Sequence, residues 1–167
     1  RPELKISLRA VKNDAEKIRW IAAHLSKGGR FYGKRGIIFS AFAEGGEGLD
    51  ALNAPKICED LQRLGVKKTG YYHGGMQLEE RRTVQEEFQN KNLKVLVATK
   101  AFGMGIDHEK LDFIIHFYPP LSLEEYWQEA GRGGRGMDVS KGESCHCVVL
   151  HNSSDYNRLK GFPNLAS

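Results

Sequence analysis

Short apolar runs alternate with stretches of helical spacing along most of this chain, and that alternation constrains its fold more than any other feature. The runs are GIIFS at 36–40, a segment at 69–73, LKVLVAT, LDFIIHFY and ESCHCVVL, each with the length and composition of a buried strand. Ahead of the first, NDAEKIRWIAAHLSKGG offers Asn13 as a helix N-cap with Glu16 three residues on, then Ile18, Ile21, Ala22 and Leu25 at helical spacing. Further helices are predicted over 55–64, with Ile57, Leu61 and Leu64 inward, over 78–89, and in SLEEYWQEAG, where Ser122 and Glu125 form a capping box. Strand and helix in turn predict an α/β domain: a mostly parallel sheet, helices on both faces, right-handed crossovers. Ligands of such a sheet gather at the carboxyl ends of its strands.

With 167 residues, 40% hydrophobic and 28% charged, the whole of 1–167 fits one domain able to bury its own core. AEGGEGLDALNA, residues 43–54, puts three glycines and three acids where a short strand-to-helix loop belongs, and reads as a mobile surface insertion. No apolar run approaches the roughly 18 residues that span a bilayer, and no secretory signal can be read in RPELKISL. Cys58, Cys145 and Cys147 make an odd number without a secreted spacing, so reduced thiols inside the cell, in nucleus or cytoplasm, are expected. A net charge of +4 suits a phosphate-rich partner without requiring one.

The stretch GGRFYGKRG comes close to a phosphate loop, because Gly28, Gly33 and Lys34 match G-x-x-x-x-G-K. Two things exclude that reading. Arg35 stands where a Mg²⁺-binding Ser or Thr is needed, and the order is helix, glycines, strand, whereas a phosphate loop leaves a strand and opens a helix. A helix end followed by a turn is expected instead.

Three later loops carry the unusual residues. In YYHGGMQLEERR, His73, Gly74 and Gly75 join a strand to a helix and allow close approach of backbone N–H groups to a phosphate, although an ordinary turn has the same composition. In ATKAFGMGIDHEKLD, Thr99 and Lys100 end a strand, Gly105 follows, and Asp107 suits a ribose hydroxyl or a cation as well as a helix cap. In QEAGRGGRG, Gln128 precedes Arg132 and Arg135, whose stems stand among Gly131, Gly133, Gly134 and Gly136; two such guanidinium forks can share a phosphoryl site.

Taken in order, GIIFS, YHGGM with Arg81, VATKAFGMGID and QEAGRGGR resemble the later motifs of superfamily 2 helicases, and AFGMGID and Q-x-x-G-R-x-G-R are similar to those of the RecQ family of ATP-dependent DNA helicases. The resemblance covers roughly 36–150. It implies the second of two RecA-like lobes of a 3′ to 5′ DNA helicase, working with ATP, a first lobe that supplies the phosphate loop and the Mg²⁺ ligands, and single-stranded or unwinding duplex DNA. It further implies that Arg132 and Arg135 reach the nucleotide phosphates, with Arg135 as arginine finger and Gln128 ordering the site. Gly105 and Asp107 correspond to nucleotide-sensing positions, and Ser40, His73, Gly74, Thr99 and Lys100 to positions along the nucleic-acid backbone. The insertion at 43–54 and GMDVSKGE after Arg135 depart from the pattern, and zinc-binding and winged-helix portions common in the family are not found. An RNA-unwinding relative and a catalytically silent α/β interaction domain are the competing readings.

Cys145, His146, Cys147 and His151 are four potential zinc ligands. In a strand, however, Cys145 and Cys147 face one way and His146 the other, so buried thiols are expected rather than a tetrahedral site.

Overall fold

A computed structural model describes residues 1–40, 52–99 and 110–160, with side chains through residue 156. Six strands form one sheet: β1 (Leu4–Ala10), β2 (Gly36–Phe39), β3 (Thr69–Tyr72), β4 (Val95–Ala98), β5 (Phe113–His116) and β6 (Cys145–His151). Their order is β1-β6-β5-β2-β4-β3, and every neighbouring pair is parallel. The helices are α1 (Asp14–Leu25), α2 (Ala54–Arg63), α3 (Leu78–Gln89), α4 (Leu123–Ala130) and α5 (Ser153–Lys160).

Alternate residues of each strand serve two separate cores, as the period of two dictates. Ile38, Val95, Val97, Phe113, Ile115, Val148 and Leu150 pack under α1 and α2, on Ile21, Leu25, Ile57 and Leu61. Their neighbours Ile37, Phe39, Leu96, Ile114, Cys147 and Val149 pack on the other face, with Phe88 of α3 and Tyr126 and Ala130 of α4. Strands covered on both sides are apolar throughout, which explains the continuous runs GIIF and VLVA. The two-faced α/β architecture expected from the sequence is present, with a sheet that is parallel throughout.

Local signals behave as chemistry requires. Asn13 and Ser122 accept the N–H groups of Glu16 and Glu125 at 2.8 and 3.0 Å. Each glutamate reaches back one residue beyond the cap, to the N–H of Lys12 and of Leu121.

Some expectations need correction. Leu64 is half exposed, because α2 ends at Arg63 and Leu64 is its C-cap. Of the expected insertion at 43–54, residues 43–51 lie outside the described residues, while the last three belong to the fold: the Leu52 N–H donates to the Tyr118 hydroxyl, Asn53 caps α2 and Ala54 is fully buried. Strand β1, which no motif marked, pairs with β6 over seven residues and forms one edge of the sheet. GGRFYGKRG is a turn: Phe31 N–H returns to the His24 carbonyl at 2.8 Å, and Gly28 and Gly33 take φ of 89° and 70°. Lys34 is exposed, while Arg35 is buried with its guanidinium over the Phe88 ring at 4.2 Å and donating to the Phe88 carbonyl.

Candidate nucleotide and nucleic-acid interface

Because all strands are parallel, their carboxyl ends share one edge, and the register determines which residues meet there. Phe39 and Tyr72 both lie opposite Ala98, so the next residues, Ser40, His73 and Thr99, form a row across β2, β4 and β3. Two backbone bonds extend the ladder into that row: Ser40 N–H to the Ala98 carbonyl at 2.9 Å, and Thr99 N–H to the Tyr72 carbonyl at 3.2 Å. All three side chains are buried. The sheet thus brings together residues from three separate motifs.

The His73 ring is committed to its own turn. It accepts the Gly75 N–H at Nδ1 at 3.1 Å, so its proton sits on Nε2. The ring also stacks on Tyr71 with centroids 5.9 Å apart. The Met76 thioether accepts the His73 N–H at 3.3 Å. The result is a rigid turn that leaves Gly74 exposed, a backbone edge able to meet a phosphate. Lys100, Gly105 and Asp107 lie outside the described residues.

Beside the row, α4 and the end of β2 enclose a polar cleft of about 260 Å³ lined by Phe39, Ser122, Gln128, Glu129 and Arg132. Gln128 and Arg132 are brought together there, one helical turn apart. Arg135 is exposed and does not line that cleft. The glycines around these arginines have a different purpose from the one their composition indicated. A Cβ on Gly133 would lie 2.3 Å from the Cys145 Sγ, and one on Gly134 would lie 2.4 Å from Glu3 Cγ. They let the turn after α4 press onto β6 and the chain's amino end, and the position of Arg132 follows from that packing.

Sequence reasoning missed a pair at the same cleft. His116, ending β5 and almost fully buried, meets Glu129 of α4 through Nε2 and Oε2 at 2.6 Å. Its ring stacks on Phe39 at 5.4 Å and lies 5.2 Å from Tyr126. The pair ties the helix that carries Gln128 to the strand end beneath it. Nothing in the spacing of His116 and Glu129 announces this contact. Burial pushes the Tyr126 phenol up to about 12, with the Cys147 and Cys145 thiols adding to the shift, so it stays a neutral member of the core beneath α4.

The charges of the cleft decide what it can do alone. Glu124, Glu125 and Glu129 line it together with one guanidinium, and three carboxylates outweigh a single cation for a polyphosphate. Arg132 and Gln128 are suitable donors for phosphoryl oxygens, but a nucleotide needs further positive charge from outside this cleft. Among the described residues no cluster of His, Cys, Asp or Glu could hold a metal ion, and no helix is long and apolar enough to cross a membrane.

Cys145 and Cys147 are fully buried under α4, and His146 points to the opposite face, where it accepts from Arg30 at 2.9 Å. Both thiols are free, and their mutual influence raises Cys145 and lowers Cys147.

A parallel sheet with helices on both faces and a row of polar strand ends beside an arginine cleft is the architecture of a RecA-like α/β domain. The chain belongs to the family described as the helicase conserved C-terminal domain, which matches residues 16–137. It is 38% identical over 159 residues to the ATP-dependent DNA helicase Q1 of Rattus norvegicus, covering 95% of this chain and 23% of that protein. It is 44% identical over 102 residues to the ATP-dependent DNA helicase RecQ of Bacillus subtilis, covering 61% of this chain and 16% of that one. The chain thus spans less than a quarter of these relatives. Among solved structures, the Escherichia coli DEAD-box protein SrmB bound to the regulator RraA gives a TM-score of 0.73 at 21% identity, covering 94% of this chain and 83% of that one. A DEAD-box protein from Methanococcus jannaschii gives 0.71 at 22%, covering 95% and 39%. At such identities the structures establish the fold alone.

Proposed function

We propose that this chain is the second motor lobe of an ATP-dependent 3′ to 5′ DNA helicase of the RecQ kind, acting inside the cell. The observation that carries the reading is the placement of two sets of residues at one pole of the sheet. Ser40, His73 and Thr99 line the strand ends, and Gln128 and Arg132 line the adjoining cleft. Ser40, Thr99 and the His73–Gly74 turn, with Lys100, follow the backbone of a single strand. Gln128 and Arg132 orient phosphoryl oxygens at the cleft. Arg135, exposed three residues further along the chain, reaches a nucleotide held mainly by the first lobe and stabilises the charge that develops at the transferred phosphoryl. Gly105 and Asp107 sense the nucleotide. ATP supplies the free energy of translocation, and the Mg²⁺ that accompanies it is held by acids of the first lobe.

The acidic balance of the cleft supports a half-site, since positioning and charge stabilisation make up nearly all the catalysis of phosphoryl transfer. The curated relatives named above are DNA helicases, which favours DNA over RNA as the track. A silent interaction domain would have no use for Arg132 at a cleft of this kind.

The test has two parts. Residues 1–167 alone, assayed with single-stranded DNA, should not turn over ATP; DNA-stimulated turnover that disappears in Arg135→Ala would refute the half-motor assignment. In the two-lobe protein, Arg135→Ala should lower turnover by about 10³- to 10⁵-fold, the range for an arginine finger, with a much smaller loss of ATP affinity.

A further inference from the structure

The opposite pole of the sheet, where the strands begin, has a charge distribution that the motor site does not use. Helices α1, α2 and α3 end there and lead into β2, β3 and β4 through residues 26–35, 64–68 and 90–94. These three segments contain Lys27, Arg30, Lys34, Arg35, Lys67, Lys68, Lys91 and Lys94 and not one Asp or Glu. Arg35 is buried against Phe88, but six of the others are exposed and Lys94 is half-buried. Among the described residues none of those seven is in an ion pair. Arg30 donates to the His146 imidazole, and Lys94 Nζ to the Gly33 carbonyl at 3.1 Å.

The strands are flush at this pole, because Gly36 and Thr69 both lie opposite Val95. Backbone bonds carry the order one residue further. Lys94 N–H donates to the Lys68 carbonyl at 2.8 Å, and Gly36 N–H to the Lys94 carbonyl at 3.0 Å. Lys68, Lys94 and the 34–35 turn therefore form a fixed row with the roughly 4.8 Å spacing of neighbouring strands.

A plainer reading is that these cations complement the helix ends. A helix carboxyl terminus carries about half a negative charge, so three of them offset about one and a half. Seven side-chain charges are far more than that. Two of the lysines also occupy backbone positions that disfavour any side chain: Lys68 has φ of 55° and Lys91 of 66°, where glycine would be relaxed. Tyr32, in the same cluster of loops, is 56% exposed and offers a face on which a base can stack.

We propose that this pole binds the phosphodiester backbone of a second stretch of nucleic acid, on the side of the lobe away from the motor site. Duplex DNA carries about one phosphate charge per 1.7 Å of axis, a density that cations at the three adjacent strand starts of β2, β4 and β3 can meet; the starts of β5 and β6 carry Asp112 and Glu143 instead. Lipid headgroups share the anionic chemistry, but an interfacial surface also needs an apolar face to bury. The large apolar side chains exposed in these segments are only Tyr32 and Leu64.

Glycine at positions 68 and 91 removes charge while relaxing the backbone, so the variant K34A/K68G/K91G of the 167-residue chain keeps its fold. Circular dichroism checks that. Fluorescence anisotropy with a labelled single strand and a labelled duplex over a salt series should show affinity falling at least about tenfold at low salt. The slope of log affinity against log salt should shrink by about 0.9 for each duplex contact removed, or about 0.7 for a single strand. A loss confined to the duplex identifies duplex as the occupant, and a loss confined to the single strand identifies the strand; both support the proposal. R9A/K12A/R19A, with the same change in net charge at exposed positions elsewhere, should bind like the unmodified chain.

The proposal is overturned by any of four results: no measurable binding by the unmodified chain, unchanged affinity and slope in the lysine variant, an equal loss in the control variant, or phosphatidylserine vesicles competing as well as DNA at equal phosphate. Unchanged binding in the lysine variant would leave the motor-site assignment intact, because all binding would then reside at the carboxyl pole.

Discussion

Asp155→Ala should be among the most damaging single substitutions available in this domain, and the reason is one buried lysine. Lys17 of α1 has no exposed surface, and its ammonium lies 2.8 Å from Asp155 Oδ2, itself almost fully buried. It lies 3.4 Å from Asp14 and 4.2 Å from the centre of the Tyr118 ring. Asp155 also accepts the Asn152 N–H at 2.8 Å and so starts α5. Removing its carboxylate leaves a buried cation with Asp14 as its main counter-charge, and a buried N–H without its acceptor. Breaking a buried pair in this way costs about 3–5 kcal/mol. For a domain of this size each kcal/mol moves the melting temperature by about 2–4 °C, so the drop should be about 6–20 °C. Urea unfolding should show a lower midpoint at unchanged m, which separates lost stability from a changed denatured state.

The cost should also depend on pH. Burial already depresses Lys17 below its ordinary value, against the opposing pull of Asp155 and Asp14, and losing Asp155 depresses it further. Between the folded and unfolded values the unfolded chain then binds more protons, so the variant should regain stability as pH rises through that window. Lys17→Met with Asp155→Leu, which removes both charges, should be far less damaging than Asp155→Ala alone. A loss below about 1 kcal/mol in Asp155→Ala would refute the reasoning, since it is what an exposed pair would give.

Gly133→Ala should destabilise by about 1–3 kcal/mol, because its new methyl meets the Cys145 sulfur at 2.3 Å; equilibrium unfolding reads this directly. Cys58 is buried and pushed up to about 11, so iodoacetamide at neutral pH should modify it only as fast as the domain opens, a rate that mass spectrometry can follow. Burial, Arg30 and Lys5 hold His146 below its ordinary value. Its contribution is therefore complete above the unfolded value and diminishes as pH falls through the folded one; His146→Gln should flatten stability against pH in that window.

What could be read without coordinates is what short-range chemistry dictates. The period of two in GIIF and VLVA, the caps at Asn13 and Ser122, and the helix-glycine-strand order of GGRFYGKRG each depend on residues a few positions apart. The sequence by itself therefore determined the α/β class, the turn in place of a phosphate loop, and the residues at the strand ends. It could not show that Ser40, Thr99 and His73 stand side by side, because the order β2-β4-β3 is a property of the sheet. Strand β1 exists through its ladder with β6, and its Ile6 and Leu8 remain exposed, so its apolar pattern marks no core. His116 and Glu129, thirteen residues apart, meet only because α4 packs back over β5. The glycines of QEAGRGGRG look like a frame for arginines until β6 is in place beneath them. Lys17 is the extreme case. It lies on a helix of ordinary amphipathic pattern, and only the arrival of Asp155, 138 residues away, makes its burial possible. Tertiary structure decided these points because a charge can leave water only when a distant counter-charge replaces its hydration, and no local pattern encodes that partner.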